Sequence, residues 1–384
     1  MRVLHVIPSV SARHGGPTRA MRTIAQALVR AGCEVTVLAT DNDGDGRRFS
    51  REATPRWPSV DLRVLPQTTQ FYTTSWRACA WMLRDVSRYD CVHVHALFSF
   101  LPVAAALVAR FKGMPYIVRP LGTLARYGLR VRRPLLKSLS LALVERPLLR
   151  RASAVHCTSE AEAADVLAVC PTARVAVIPL AVEDEYFAVR RIDHAEARTV
   201  LYMSRLDPKK NLEVLIDAVA RLRETQPTFR LLIAGAGSDD YVVTLRARAQ
   251  RLAVEPHLQW LGHVEGEDKM AALERASLFL LPSHSENFGI AVAEALAAGL
   301  PCLVSPGVAL SADIQRAGAG EVVMPDAASF AAAIQAWLSD APRREAAAQS
   351  AVRLARAQFS SDRLASDLLT MYRRVIQGEA SDLR

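Results

Sequence analysis

The sequence has no apolar run of transmembrane length. Its longest candidate, Leu97 to Ala109, is about 13 residues broken by Ser99 and Pro102, which suits a buried helix and falls short of the roughly 20 that a membrane span needs. Cysteine is scarce. The six, Cys33, Cys79, Cys91, Cys157, Cys170 and Cys302, form no C-x-x-C and have no histidine at metal-ligand spacing, so we expect reduced core thiols in a cytosolic protein, without zinc. No Asp-x-Asp stands where it could hold a catalytic metal, since Asp41-x-Asp43-x-Asp45 lies in a Gly-rich loop without the Glu of a calcium site. Aromatics are only 6% of the chain, and none interrupts the basic run Arg130 to Lys137, which counts against nucleic acid. Met1 to Val10 has the charged opening of a signal peptide for only a few residues and reads instead as a first buried strand.

What is present is an ordinary globular composition, 51% hydrophobic and 23% charged. At 384 residues the chain is long enough for two domains, each with its own core. Its charge is lopsided. Residues 1–190 hold 26 of the 48 Lys and Arg but only 15 of the 39 Asp and Glu, so the first half carries +11 and the rest −2 of the net +9. Within it, nine basic residues from Arg119 to Arg151 face one acid, Glu145, a cluster that suits a solvated face, an anionic membrane surface or a diphosphate-bearing acceptor.

Strand-like and helix-like stretches alternate from the start. Val3 to Ile7, Val35 to Ala39, Leu62 to Leu65, Cys91 to His95 and Tyr116 to Val118 read as strands, with helices near 18–30, 75–87, 101–111 and 135–149 and short strands at 154–157 and 175–178. After a charged connector, Glu183 to Arg198, the pattern restarts. Strands at 199–203, 230–234, 258–261, 276–281, 302–305 and 321–324 are separated by helices at 212–224, 241–252, 268–275 and about 288–298, with further helices at 327–338 and 361–376. Such alternation predicts two doubly wound α/β halves, whose ligands bind at the carboxyl ends of the strands.

The densest chemistry lies between Leu281 and Pro301. An apolar strand leads through a polar loop into a helix that is apolar on every face except for Glu294, and a buried carboxylate needs a partner. Glu286 stands eight residues upstream, no more than roughly 12 Å away at 1.5 Å per helical residue. Between them, free N–H groups and the helix dipole favour an anion, and Gly289 lets its backbone come close. A nucleotide-sugar suits this layout; Glu286 as a helix cap and Glu294 as a satisfied core carboxylate is the plain alternative. Arg205 and Lys210 follow the strand at 199–203 around a Pro turn, where a planar fork and a compact charge can converge on one phosphate. His93 and His95 share one face of their strand, and His95 lies nearer its carboxyl end.

The Glu286 to Glu294 segment, following Pro282-Ser283 and containing Phe288-Gly289, together with Arg205 and Lys210, resembles the signature of the retaining family 4 glycosyltransferases of GT-B fold. The resemblance runs from Val3 to about Tyr372, more strongly in the second half. It implies two Rossmann-like domains across a cleft: an acceptor domain at 1–182, a nucleotide-sugar domain at 183–358, and a last helix, 359–384, crossing back to the first domain. It also implies donor contacts from Arg205, Lys210, Glu294, Asn287, Phe288, Gly289, Ile290, Gly16 and Val264, catalytic roles for Glu286 and His95, and an acceptor contact from Arg119. The co-substrate would be a UDP- or GDP-linked sugar with no metal, and the acceptor a glycan; the basic 119–151 segment and the amphipathic stretch Leu135 to Leu149 add the expectation that the acceptor is lipid-linked and met at the inner face of the membrane by a cytoplasmic enzyme. One segment departs from the family: Pro179-Leu-Ala-Val-Glu183 replaces the usual Pro-Asn-Gly-Val-Asp at the hinge. A soluble transferase with a small acceptor, a nucleotide-sugar-binding subunit without turnover, and a dinucleotide oxidoreductase built on Gly235-x-Gly237 are the rivals.

Overall fold

The structure is a computed structural model, and it describes the whole chain except residues 12, 14, 45–46, 51–53, 70, 126–133, 190–197, 225–227 and 380–384. Arg126, Arg130, Arg132 and Arg133 of the basic cluster, Asp45, and half of the connector, 190–197, lie outside the described residues. The chain divides into two compact units, Met1–Ala181 with Ser361–Arg384, and Val182–Ser360.

The first unit holds a parallel sheet of seven strands: β1 (Arg2–Ser9), β2 (Glu34–Thr40), β3 (Asp61–Leu65), β4 (Cys91–His95), β5 (Tyr116–Arg119), β6 (Ala154–Cys157) and β7 (Val175–Val177), in the order β3-β2-β1-β4-β5-β6-β7. Its central strands are buried on both faces, including the histidines and the arginine they carry, His5 on β1, His93 and His95 on β4 and Arg119 on β5. The helices are α1 (Gly16–Arg30), α2 (Trp76–Asp85), α3 (Phe100–Phe111), α4 (Pro134–Ser140), α5 (Arg146–Arg151) and α6 (Glu160–Val169), with one π turn, Leu141–Glu145, joining α4 to α5. Helix α6 is capped by Ser159, whose Oγ accepts from the Glu162 N–H, and the Glu162 carboxylate accepts from the Thr158 N–H just before the cap at 2.7 Å.

The second unit repeats the plan with six parallel strands: β8 (Thr199–Met203), β9 (Arg230–Ala234), β10 (Leu258–Gly262), β11 (Leu278–Leu281), β12 (Cys302–Val304) and β13 (Gly320–Val322), ordered β10-β9-β8-β11-β12-β13. Between and after them run α7 (Leu212–Leu222), α8 (Asp239–Arg251), α9 (Gly266–Arg275), α10 (Ile290–Ala297), α11 (Ser311–Ala317), α12 (Ala327–Ser339) and α13 (Ala341–Phe359). The last helix, α14 (Ser361–Gln377), belongs to the first unit, where it packs on α1 and β4. In each sheet the strand order reverses once, between β1 and β4 and between β8 and β11. The loops at the carboxyl ends of those strands diverge there and leave room for a ligand.

Candidate active site

In the second unit the reversal point brings together two loops about 80 residues apart in sequence. His284 donates its N–H to the Lys209 carbonyl at 2.9 Å, Ser283 Oγ donates to the same oxygen at 3.1 Å, and Asn211 Nδ2 donates to the Pro282 carbonyl at 3.3 Å. These bonds hold Arg205 to Lys210 against Pro282 to Glu286. Across the junction Lys210 Nζ donates to Glu286 Oε1, both side chains mostly covered, at 16% and 15% exposure. Arg205, on the same loop as Lys210, is exposed. The Glu286 backbone is clamped from its other side, donating to the Gly307 carbonyl at 2.8 Å and accepting from Ala309 at 3.2 Å.

The Gly235-x-Gly237 pair, a weak nucleotide motif by sequence, has a structural task here. Gly235 sits at φ 150°, and a Cβ there would lie 1.9 Å from the Ser204 carbonyl oxygen; one on Gly237 would lie 2.2 Å from that of Leu206. The two glycines let the turn pack flush on the backbone that presents Arg205. Gly289, at φ 86° and ψ 60°, is the left-handed residue that turns the chain into α10. Next to it Phe288 is buried edge-on against Phe359, ring centres 5.6 Å apart, while Asn287 and Ile290 are half-buried. Val264 is half-buried just past β10, on a different loop from the Glu286 cluster.

Glu294 does have an internal partner. Lys269 on α9 donates Nζ to Glu294 Oε2 at 2.6 Å, and that ammonium also lies 4.9 Å from the Tyr186 ring centre. The need for a partner was legible from the apolar helix around Glu294; which residue supplies it was not, because Lys269 lies 25 positions away amid charged neighbours.

In the first unit Gly16 opens α1, and among the described residues nothing beyond its own stretch of chain lies within 4 Å of where its Cβ would stand. His95 and Arg119 end adjacent strands in register. Both are buried, His95 wholly, within a cluster that the sequence hid: His5 Nδ1 lies 2.9 Å from His95 Nε2, the rings of His93 and His95 stack at 4.4 Å, and His93 Nδ1 meets the Tyr372 hydroxyl at 2.8 Å. His156 joins from β6, its Nε2 donating to the Ile178 carbonyl. Burial, aided by the Arg119 charge, pulls His5 and His156 down to about 3 and His93 and His95 well below the usual histidine range. Burial also lowers Arg119 to about 10. His5, His93 and His95 bring one ring nitrogen each within 4.8 Å of one another, a spacing that three ligands of one metal ion can have. Neutral imidazoles suit a metal, but the guanidinium beside them sets a positive potential that opposes a dication.

Both halves match known sequence families. The model described as glycosyl transferases group 1 matches residues 183–353, and that described as glycosyl transferase 4-like domain matches residues 15–181. The chain belongs to the group 1 glycosyltransferases. Among its curated relatives in this family, the glycogen synthase of Mycobacterium tuberculosis (strain H37Rv) is 37% identical over 177 residues, 46% of this chain and 41% of that one. The phosphatidyl-myo-inositol mannosyltransferase of the same strain is 33% identical over 204 residues, 50% of this chain and 52% of that one. The chain thus spans about half the length of the curated relatives it matches. A solved structure of Anabaena Alr3699/HepE in complex with UDP and glucose superposes with a TM-score of 0.77, covering 96% of this chain and 98% of that one at 17% identity, which shows the shared GT-B fold.

Proposed function

We propose that this group 1 glycosyltransferase moves a hexose from a UDP- or GDP-linked donor to a lipid-linked glycan acceptor, with retention of configuration and without a metal, in the synthesis of a cell-surface polysaccharide or lipopolysaccharide. The observation that carries the reading is the Lys210–Glu286 pair, with Arg205 on the same loop as Lys210, at the point where the second sheet reverses. Departure of a nucleoside diphosphate leaves negative charge on its phosphates, and cations held in place before the reaction stabilise that charge without reorganising. Arg205, Lys210 and the N–H groups that open α10 after Gly289 take this task. Glu294 and Asn287 to Ile290 line the donor side with Val264.

In the proposed step the acceptor hydroxyl oxygen forms a bond to the anomeric carbon on the face from which the phosphate oxygen departs. The departing phosphate takes the hydroxyl proton. Glu286 orients the donor sugar, and Lys210 passes from the carboxylate to the phosphate. In the first unit we assign Gly16 to donor binding, His95 to catalysis and Arg119 to the acceptor. The protein then works in the cytoplasm, peripheral at the inner face of the membrane. The UDP and glucose bound in the solved Anabaena structure support a nucleotide-sugar donor, and the name of the phosphatidyl-myo-inositol mannosyltransferase supports a lipid acceptor.

Calorimetric titration with UDP, GDP, ADP and their sugar conjugates, in chelator, tests the reading. One nucleotide should bind, and Arg205→Ala should weaken it. If none binds, the transferase reading fails and a scaffolding role replaces it.

A further inference from the structure

Large apolar side chains are exposed very unevenly. Of the 13 exposed large hydrophobics among the described residues, nine lie between Tyr72 and Leu143, all in the first unit. The densest group is on the helical segment 134–151, where Leu135, Leu136, Leu139 and Leu143 are 85%, 61%, 58% and 68% exposed. Positions 135, 139 and 143 make an outward stripe at four-residue steps, and exposed Arg146 and Arg150 continue it. The rotation of the segment is fixed from beneath. Leu148 and Leu149 sit in the core with Val144 and Leu141 against it, and buried Glu145 accepts from the Phe98 N–H at 3.0 Å and from Ser140 Oγ at 3.3 Å. Tyr72 reaches the same segment, its hydroxyl 3.5 Å from Ser140 Oγ, and Trp76 follows at the start of α2, 61% exposed.

The charge around this surface has one sign. The described elements 76–88, 100–112 and 134–151 carry nine Lys and Arg and only two acids, Asp85 and Glu145, both buried. Where the stripe turns basic, Arg146 and Arg150 line an open recess of about 540 Å³ with the turn 168–172. Among the described residues, no helix is long and apolar enough to cross a membrane. A leucine ridge flanked by an aromatic pair, ending in arginines and facing no exposed acid, is the pattern of a surface that lies in a lipid interface.

We propose that segment 134–151, with Tyr72 and Trp76, seats the protein on an anionic phospholipid surface, the leucines entering the acyl boundary and Arg146 and Arg150 meeting lipid phosphates. The inference deepens the reading of a lipid-linked acceptor, yet its test needs neither donor nor acceptor. Cosedimentation of the full chain with vesicles of phosphatidylglycerol and phosphatidylcholine in equal parts should show binding about tenfold or more above that to phosphatidylcholine alone, weakened by half-molar salt. Leu135→Gln/Leu139→Gln/Leu143→Gln should lose about tenfold or more, with an unchanged circular dichroism spectrum and unchanged nucleotide titration. Arg146→Gln/Arg150→Gln should lose the preference for anionic vesicles. The proposal is overturned if the leucine variant binds as well as the parent, or if neutral and anionic vesicles bind alike. It is equally overturned if light scattering shows a dimer that only the leucine variant disperses, since a second copy then covers the stripe. Any of these leaves the nucleotide titration, and with it the transferase reading, standing on its own.

Discussion

Lys269 and Glu294 form an ion pair of 2.6 Å whose side chains are only 5% and 2% exposed. Two charges taken from water are tolerable there as an ion pair, and removing one leaves the other buried without its counter-charge. Lys269→Met should therefore cost about 3–5 kcal/mol of stability, read from urea unfolding with a probe in the second unit. The double variant Lys269→Met/Glu294→Leu should regain most of that loss. It should not regain nucleotide binding if Glu294 serves the donor. Equal loss in single and double variants would show that the pair is not the source of the effect.

Lys210 and Glu286 invite opposite binding effects. In the free protein the ammonium is held by the carboxylate, so Glu286→Gln releases it for phosphate, and nucleotide affinity should hold or rise while turnover falls about 10²- to 10³-fold. Lys210→Ala removes a charged hydrogen bond worth about 1.5–3 kcal/mol, a loss of about 10- to 150-fold in nucleoside diphosphate affinity. Calorimetry and initial rates on the two variants separate the effects. Parallel losses of binding in both would argue against a donor phosphate at Lys210.

The Gly235 prediction concerns the support beneath Arg205. A methyl at Gly235 must displace the Ser204 carbonyl, and its φ of 150° disfavours any side chain. Gly235→Ala should destabilise by about 1–3 kcal/mol and weaken nucleotide binding although residue 235 is not among the proposed donor contacts. Melting temperature and titration together check it; unchanged affinity in a destabilised variant would free the Arg205 loop from this dependence.

The alternation of apolar strands and amphipathic helices was legible because each element announces itself locally. Cys91 to His95 has the same bounds in sequence and structure, and Thr199 to Met203 does too. Elements lacking an apolar stripe stayed hidden. The 19 residues of α13 mix Arg and Ala so evenly that no face stands out, although Asp340, whose side chain accepts from the Arg343 N–H, and Pro342 mark its start. The Glu286 and Arg205 loops could be read because their residue types are tied to anion chemistry. The histidine cluster could not: His5, His93, His156 and Tyr372 come from β1, β4, β6 and α14, and only the strand order brings them together.

That cluster sets a pH dependence whose sign can be worked out. His5 and His156 titrate near 3 in the folded protein, with His93 and His95 also well below their usual range, against about 6.5 when unfolded. Well above pH 6.5 both states are neutral at these sites and nothing is lost. As pH falls from 6.5 toward 3 the unfolded chain takes up protons that the buried rings refuse, and each histidine removes up to about 1.4 kcal/mol per pH unit. The first unit should therefore melt progressively earlier between pH 6.5 and 4, ahead of carboxylate protonation. His93→Phe, which keeps a ring against His95 and gives up the bond to Tyr372, should be less stable at pH 8 yet lose less on acidification, by about one proton's worth of slope. Melting curves of both proteins at pH 8, 6.5, 5.5 and 4.5 decide the matter, because a parallel fall would mean that these imidazoles accept protons in the folded state.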